Sequence, residues 1–439
     1  MSRDPGETTR VVIVGGGSRQ WGPKLVTDLM TTPSLSDATI VLHDIDAPSL
    51  EPMTRYAAAV AHTVGANATV ETTTDLGSAL RGANFVVVTI STGGFTSMAH
   101  DLDVPRRYGI RQSVGDSVGP GGINRALRNV PVLVGVAREM ERLCPDAWML
   151  NITNPMTCLT RAVARETSIR VVGLCHEVVI MSWFIAVACG VPAEQIGFEI
   201  TGVNHLPWIT GLTIEGEDGF ARLERALSER PDAKFFAPEN VLKLALFERY
   251  GALAGAGDRH VAEFFPWALT EESGWGKAWG IHLTSIADRE RDEDGYRNAL
   301  FDVADRGAEP PTWSSGEMVA PLIDSLVTGT RRELPVNLPN RGQAPYLPSD
   351  VVVETMGIVD GDGVRGRDEV VPPDACAEWI RRHVAVQELT VQAALTGNRA
   401  DARAAMALDP LCGRVDLRSI EAMTDELLAA TAAWLPQFV

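Results

Sequence analysis

The start of the chain carries the feature that most restricts its fold, a short apolar run that ends in a cluster of glycines. Residues 11–14 read VVIV and residues 15–18 read GGGS. β-Branched residues favour a strand, and glycine permits the sharp turn with which a strand of a doubly wound α/β sheet enters a helix. The amides of such a turn bind a pyrophosphate. We therefore predict a dinucleotide site that includes Gly15, Gly17 and Ser18, although Gln20 replaces the third glycine of the usual fingerprint.

The pattern that follows is an alternation of short β-branched runs and longer amphipathic stretches, as far as about residue 205. This alternation is typical of βαβ units and a parallel sheet. We predict strands near residues 11–14, 39–43, 69–72, 84–90, 147–151, 170–174 and 197–203. Residues 1–200 are accordingly expected to form a Rossmann-like, NAD-binding domain. Residues 201–439 are expected to form a mixed α/β domain for substrate, catalysis and oligomerisation, whose last helices, broken at residues 397–398, cover a second sheet or a subunit interface.

Two positions after predicted strands extend the cofactor site. Asp44 follows the second strand, where a carboxylate accepts hydrogen bonds from the adenosine ribose and repels a 2′-phosphate, so NAD is favoured over NADP. The interval from Gly17 to Asp44 is longer than the usual span of roughly 20 residues, which predicts an extended helix between them. A helix cap is the alternative for Asp44. Thr92 lies in a loop of small residues that we expect to approach the second ribose and the nicotinamide.

Composition excludes several classes of function. A net charge of −18 over 439 residues argues against nucleic-acid binding that depends on neutralising phosphates. No apolar stretch reaches the roughly 20 residues that span a bilayer, so we expect no membrane partner, and the polar N-terminus predicts a cytoplasmic protein. Six cysteines are too sparse for a disulfide framework and are expected to be reduced.

Two loops could face the substrate. Residues 115–123 read GDSVGPGGI and include Asp116 ahead of a predicted helix with Arg125 and Arg128. Such a loop is interpreted as a lid over substrate or cofactor, with a structural turn as the alternative. Asn154 follows a predicted strand at the edge where open α/β sheets bind ligands, and we assign it to cofactor and substrate.

A metal site is indicated by Cys175 and His205, each placed just after a predicted strand. A thiolate and an imidazole suit a borderline divalent ion whose remaining positions substrate oxygens can fill. A buried thiol and a hydrogen-bonded core histidine are the alternatives. Further along, residues 257–260 read GDRH and gather Asp258, Arg259 and His260, either in a mobile catalytic loop or in a salt-bridged surface loop.

Six short motifs give the chain a resemblance to a known enzyme family, glycoside hydrolase family 4. They are GGGS at 15–18, GPGG at 119–122, NPM at 154–156, CHEV at 175–178, GVNH at 202–205 and GDRH at 257–260. The resemblance continues to VNLPNRG at 336–342 and so covers nearly the whole chain. It implies a Rossmann-like doubly wound parallel sheet, like that of lactate and malate dehydrogenases, with a second mixed α/β domain. It also implies NAD, a divalent metal (manganese) and a homodimer or homotetramer.

The resemblance further implies a substrate class and roles for single residues. His176 after the metal-binding cysteine is typical of members that act on unphosphorylated α-hexosides, and the glucosidase, galactosidase and glucuronidase types stay open. NAD takes a hydride from C3, a base removes the acidified C2 proton, the aglycone is eliminated, water adds, and the hydride returns. The resemblance makes Asp258 the base, His176 a proton donor, and Cys175 and His205 the metal ligands. Asn154, Asn204, Asp116, Arg259 and His260 would contact the sugar.

Two other functions fit parts of the sequence. A malate- or lactate-type 2-hydroxyacid dehydrogenase shares the glycine loop, the acidic residue after the second strand and an Asn-Pro after a strand, but does not require a cysteine–histidine metal site. An NAD-sensing protein could retain the fold without the chemistry. Retention of Cys175, His205 and Asp258 argues against such a loss.

Overall fold

A computed structural model describes residues 8–229 and 240–438. Its described strands form one mixed sheet, with the order β10-β8-β7-β12-β11-β6-β5-β4-β1-β2-β3 and with β9 and β13 paired to β8 and β12. The strands are β1 (Arg10–Val14), β2 (Thr39–His43), β3 (Thr69–Thr73), β4 (Phe85–Val88), β5 (Trp148–Asn151), β6 (Arg170–Gly173), β7 (Ile196–Val203), β8 (Leu206–Ile214), β9 (Glu217–Asp218), β10 (Leu253–Ala254), β11 (Arg332–Pro339), β12 (Val352–Asp360) and β13 (Gly363–Gly366).

Helices cover both faces of this sheet. They are α1 (Trp21–Thr31), α2 (Ala47–Val64), α3 (Leu76–Leu80), α4 (Gly94–Arg107), α5 (Gly119–Leu143), α6 (Met156–Glu166), α7 (Glu177–Cys189), α8 (Gly219–Glu229), α9 (Val241–Tyr250), α10 (Asp258–Val261), α11 (Ile286–Ala304), α12 (Val319–Thr328), α13 (Asp374–Thr396), α14 (Arg399–Leu408) and α15 (Leu417–Ala430). None of the helices in the described part of the chain combines the length and the apolar character needed to cross a membrane.

The parallel half of the sheet, β3-β2-β1-β4-β5-β6, has the strand order of a dinucleotide-binding fold. Its inner strands are apolar on both faces, and separate hydrophobic clusters lie above and below them. Such two-sided burial is what parallel strands between helices require. The predicted fold class is therefore confirmed, and each of the seven predicted strands occurs within a few residues of its expected position.

The antiparallel half, β11, β12, β7, β8 and β10, continues the same sheet beyond β6. Strand β11 joins the halves through a single pairing of Asn337 with Gly173, and β12 then pairs with both β11 and β7. The strand predicted at 197–203 is present but runs antiparallel to its neighbours. The sheet thus runs across the expected boundary at residue 200, and the division into domains of residues 1–200 and 201–439 stays a prediction.

One expectation about helices was wrong. The long interval between Gly17 and Asp44 is filled by the short helix α1 and a turn around residues 33–35, rather than by an extended helix. The break at residues 397–398 is present, and α13 packs on α5 and α6 of the parallel half as well as on β7 of the antiparallel half. Apolar periodicity shows that one face of a helix is buried, and it does not show against which element.

Candidate active site

The glycine loop lies at the carboxyl end of β1, in the middle of the parallel half. Gly15 has φ of 93°, and a Cβ there would lie 1.9 Å from the carbonyl oxygen of Thr89, so a side chain is excluded. The amides of Gly15 and Gly16 both donate to the carbonyl oxygen of His43. Ser18 accepts a hydrogen bond from the amide of Trp21 at the start of α1. This tight, side-chain-free turn ahead of a helix fits a pyrophosphate.

Asp44 lies beside this loop. Its Oδ2 accepts a hydrogen bond of 3.0 Å from the amide of Gly17, and its Oδ1 accepts one of 3.1 Å from the amide of Asp46. Asp46, not Asp44, occupies the N-cap position of α2. The position next to the glycine loop is the one from which a carboxylate contacts an adenosine ribose.

Thr92 and Asn154 follow β4 and β5 at the same edge of the sheet. The amide of Thr92 donates to Asn129, and the carbonyl oxygen of Thr92 accepts from Arg128, which is itself paired with buried Asp101. The side-chain Oδ1 of Asn154 is buried and has no hydrogen-bond partner among the described residues. Since buried acceptors are normally satisfied, this oxygen fits a contact to a bound molecule.

A cluster of potential metal ligands lies across from these loops. One ligand atom each from Asp116, His205 and His260 lies within 4.8 Å of the others, and we call these residues the triad cluster. The rings of His205 and His260 are 3.8 Å apart between centroids. The Nδ1 of His260 is buried, and no residue in the described part of the chain forms a hydrogen bond with it. Imidazole and carboxylate are both common ligands of divalent transition metals, so the donor set fits such an ion.

The charges in this cluster favour metal binding. Burial alone would raise the pKa of Asp116, but His260, His205 and Arg125 lower it to about 2, so the carboxylate is ionised. Burial, with the neighbouring His260, lowers the pKa of His205 to about 3. A neutral imidazole beside an ionised carboxylate is the protonation state in which both groups can bind a cation.

Cys175, which the sequence paired with His205, is not a member of the triad cluster. Its thiol is buried beside the Asn204 side chain, and burial, together with the charges of Glu354 and Glu177, raises its pKa well above the usual value. Asn204 directly precedes His205, and its Nδ2 donates to Glu354 at 3.4 Å. The Oδ1 of Asn204 is buried and accepts no hydrogen bond from residues 8–229 and 240–438. The thiol and the triad cluster therefore meet at the turn between β7 and β8.

His176 lies on the other side of the site, at the N-terminus of α7. Its Nδ1 is 3.2 Å from Glu317, and its Nε2 is 3.7 Å from Glu177. Burial by itself would lower the pKa of His176, but the hydrogen bond and charge of Glu317 and the charge of Glu177 raise it overall. Glu177 also accepts a hydrogen bond of 2.6 Å from the amide of Gly257, which ties α7 to the 257–260 loop.

The side chains of two predicted site residues are hydrogen-bonded to neighbouring segments. Asp258 is fully buried, and its carboxylate oxygens accept hydrogen bonds of 2.5 and 3.0 Å from the amides of Leu242 and Lys243, in the first turn of α9. The guanidinium of Arg259 donates to the carbonyl oxygen of Ser113 and to the hydroxyl of Thr284. Of the three side chains in the GDRH loop, only that of His260 belongs to the triad cluster.

Sequence reasoning gave no role to three residues that shape this site. Ser117 contacts both Asp116 and His205, Glu317 contacts His176, and Glu263 accepts hydrogen bonds from the amides of Val114 and Gly115. Glu317 lies outside any helix or strand, so no periodicity marks it. Ser117 lies within the glycine-rich loop that drew attention, and only its adjacency to Asp116 could have singled it out.

Comparison with known proteins agrees with this geometry. The model of the family 4 glycosyl hydrolases matches residues 10–191, and the model of their C-terminal domain matches residues 200–412. An alpha-galacturonidase of Thermoanaerobacterium saccharolyticum is 32% identical over 97% of this chain and 96% of its own length. An alpha-galactosidase of Bacillus subtilis is 28% identical over 98% of this chain and 99% of its own length.

Solved structures give the same result. A Bacillus subtilis protein described as a glucosidase superposes with a TM-score of 0.88 at 29% identity, over 96% of this chain and 100% of its own. The 6-phospho-beta-glucosidase of Thermotoga maritima, solved with manganese, NAD⁺ and glucose-6-phosphate, superposes with a TM-score of 0.80 at 22% identity, over 97% of this chain and 99% of its own. A malate dehydrogenase of Plasmodium falciparum has a TM-score of 0.53 at 13% identity, so the dehydrogenase likeness is one of fold. The chain therefore belongs to glycoside hydrolase family 4.

Proposed function

We propose that this glycoside hydrolase cleaves unphosphorylated α-hexosides with the help of NAD and a divalent metal, manganese. The observation that carries the proposal is the pairing of a glycine-lined dinucleotide loop with the triad cluster at one edge of the sheet. The curated relatives that are about 30% identical over nearly the whole chain include alpha-galacturonidases and an alpha-galactosidase.

Arg125 favours a hexuronide among the possible substrates. Its Nε donates to the carbonyl oxygen of Asn154 at 3.0 Å, which holds the guanidinium at the site. Among the carboxylates, the charge of Asp116 raises the pKa of Arg125 most strongly. No carboxylate of the described residues, however, lies within ion-pair distance of Arg125. A guanidinium with unused donors can bind a carboxylate in a bidentate manner. We therefore rank α-hexuronides ahead of neutral α-hexosides.

NAD, when bound, supplies a hydride acceptor for C3 of the sugar, and the metal supplies a Lewis acid for the sugar oxygens. The protein would bind and orient these groups: Gly15, Gly17 and Ser18 would hold the pyrophosphate, and Asp44 would accept hydrogen bonds from the ribose. Thr92 and Asn154 would hold the nicotinamide end. We propose His205, with Asp116 and Cys175, as the metal-holding groups.

Oxidation at C3 makes the proton on C2 acidic, and a protein base must remove it. The GDRH loop offers two candidates, Asp258 and His260. We favour His260, because its ring lies 3.8 Å from that of His205 between centroids, whereas both oxygens of Asp258 accept hydrogen bonds from amides of α9. Asp258 as the base remains the alternative. His176, hydrogen-bonded to Glu317, is the proposed donor to the leaving aglycone oxygen.

We also propose that the protein is a cytoplasmic homodimer or homotetramer. One face of α7 exposes Ile180, Trp183 and Val187, with Trp183 58% exposed. Large exposed apolar side chains at helical spacing mark an interaction surface. A second copy of the chain is the occupant that this proposal assigns to the face, and sedimentation of the purified protein would test it.

Incubation with aryl α- and β-hexosides and α- and β-hexuronides, with NAD⁺ and Mn²⁺ under reducing conditions, tests the function. We expect release of the aglycone from an α-hexuronide, no release after treatment with a chelator, and no build-up of NADH in step with product. NADH formed in equal amounts to product would instead indicate a dehydrogenase. Hydrolysis of neutral α-hexosides alone would remove the role given to Arg125.

A further inference from the structure

Ser117 lies between two members of the triad cluster. Its Oγ is 2.7 Å from Oδ1 of Asp116 and 2.8 Å from Nδ1 of His205. The other ring nitrogen of His205, Nε2, makes no hydrogen bond within residues 8–229 and 240–438. The three side chains thus form a hydrogen-bond chain that runs from the imidazole through a hydroxyl to a carboxylate.

The donors and acceptors in this chain can be assigned in only one way. An ionised carboxylate accepts hydrogen bonds and donates none, so the single hydroxyl proton of Ser117 must point to Asp116. The hydroxyl oxygen can then only accept from His205, so Nδ1 carries a proton. In a neutral imidazole, Nε2 is left with the lone pair. The orientation of one hydroxyl therefore fixes the tautomer of the histidine.

The backbone around this chain is held firmly. His205 has φ of 67°, a left-handed conformation that is uncommon for a residue with a side chain and persists only where the surrounding structure enforces it. On the other side, Glu263 accepts the amides of Val114 and Gly115 and so anchors the loop that carries Asp116 and Ser117. A Cβ on Gly122 would lie 2.5 Å from the carbonyl carbon of Ser117, so the first turn of α5 fits tightly against this loop. These contacts leave the hydroxyl little freedom to move away.

We infer that Ser117 is a positioning residue that holds His205 in the Nδ1–H tautomer and thereby presents Nε2 as the metal-binding atom. The inference rests on His205 as a metal ligand in the proposed function. Groups that orient a metal-binding histidine through its second ring nitrogen typically change metal affinity by about 10- to 100-fold when removed. Ser117 itself need not touch metal or sugar for this effect.

The experiment compares the full-length protein with Ser117→Ala and Ser117→Thr. The tautomer of His205 is read from ¹⁵N chemical shifts of histidine-labelled, metal-free protein, with His205→Gln used to assign the resonances. Affinity for Mn²⁺ is measured by calorimetry. Ser325→Ala, which removes a buried hydroxyl that accepts a hydrogen bond from Arg332, is the matched control.

We expect the Nδ1–H form in the wild type and in Ser117→Thr, which keeps the hydroxyl. Ser117→Ala should lose this preference and bind Mn²⁺ about 10- to 100-fold more weakly, whereas Ser325→Ala should match the wild type in both measurements. A wild-type His205 found as the Nε2–H form would overturn the inference even if the alanine variant failed to fold. So would an alanine variant with unchanged tautomer and affinity. Failure of the wild type to bind Mn²⁺ would count against the proposed function, and the tautomer measurement would still decide the role of Ser117.

Discussion

The two halves of the sheet divide the work of the site between backbone and side chains. In the parallel half, the strand ends supply close-packed turns, and the most restrictive feature is the lack of a side chain at Gly15 and Gly17. In the antiparallel half, buried polar side chains dominate, including Asn204, His205 and Glu354. A cofactor loop needs space and amides, whereas a metal site needs ligand atoms. The cofactor loop is therefore specified by small residues, whereas the metal site is specified by side chains that are costly to bury.

The largest effect is expected for His205→Ala, which should reduce activity without reducing the affinity for NAD⁺. Loss of a metal-binding group removes several kcal/mol of transition-state stabilisation, so we expect activity to fall about a thousandfold or more. Affinity for NAD⁺ should stay within a factor of about two, because the cofactor turn belongs to the parallel half. Titration with NAD⁺ and an activity assay would check this, with exposed His282→Ala as the control. An active His205→Ala variant would end the metal proposal.

The next effect concerns Asp258. The buried carboxylate of Asp258 accepts hydrogen bonds from the α9 amides and lies 3.9 Å from the Lys243 ammonium. The substitution Asp258→Asn should therefore lower the free energy of unfolding by about 3 kcal/mol. His260→Gln should reduce turnover about 10²- to 10⁴-fold with a much smaller effect on stability. Denaturant unfolding and turnover of both variants would be measured, and exposed Asp75→Asn, whose carboxylate likewise accepts a hydrogen bond from an amide at a helix N-terminus, is the matched control. A stable Asp258→Asn with lost turnover would restore Asp258 as the base.

A smaller effect is expected in the parallel half from Gly17→Ala. The new Cβ would lie 1.8 Å from Ser49 Oγ and 2.9 Å from Asp44 Oδ2, so both side chains must shift. Overpacking of this kind costs roughly 1–3 kcal/mol, and we expect affinity for NAD⁺ to fall at least about tenfold. Affinity for Mn²⁺ should not change. Gly135→Ala has open space around its Cβ in α5 and serves as the control; equal NAD⁺ affinity in Gly17→Ala would contradict the cofactor assignment.

The smallest effect tests a contact between helix α13 and the segment that follows the GDRH loop. His383 of α13 donates through Nε2 to the carbonyl oxygen of Phe264, and burial lowers its pKa from 6.5 to about 4. The unfolded chain therefore binds the proton first, so the stability that His383 contributes is present above pH 6.5 and declines as the pH falls. Between pH 7 and pH 5.5 this contribution to the free energy of unfolding should fall by about 1 kcal/mol. Unfolding of the wild type and His383→Gln at both pH values would show it, since only the wild type should lose this increment.

Sequence reasoning predicted the parallel half well because its determinants are local. β-Branched runs give the strands, and glycines with a following Asp44 give the cofactor turn, each within a short stretch of chain. His205 and Asp116 were also found, because they follow a strand or precede a helix in a glycine-rich loop. These signals require no knowledge of which distant segments meet.

Prediction was weaker where the role depends on distant partners. The GDRH motif predicts that Asp258 lies in the site, but the sequence does not show that the N-terminus of α9 lies close to Asp258 in the folded chain, where two of its amides donate to the carboxylate. Glu317 reaches His176 from an irregular segment more than a hundred residues away. Register between such segments is set by packing of the whole sheet, and a local pattern does not encode it.

The proposed mechanism is tested most directly by the fate of the C2 hydrogen. Hydrolysis of the preferred α-hexuronide in deuterium oxide, with NAD⁺ and Mn²⁺, would be followed by NMR of the released sugar. If a base of the GDRH loop removes the C2 proton, that proton can exchange with solvent before water adds, so the product should carry deuterium at C2. Direct displacement by paired carboxylates never breaks this bond. A product without deuterium at C2, formed at full rate, would contradict the account.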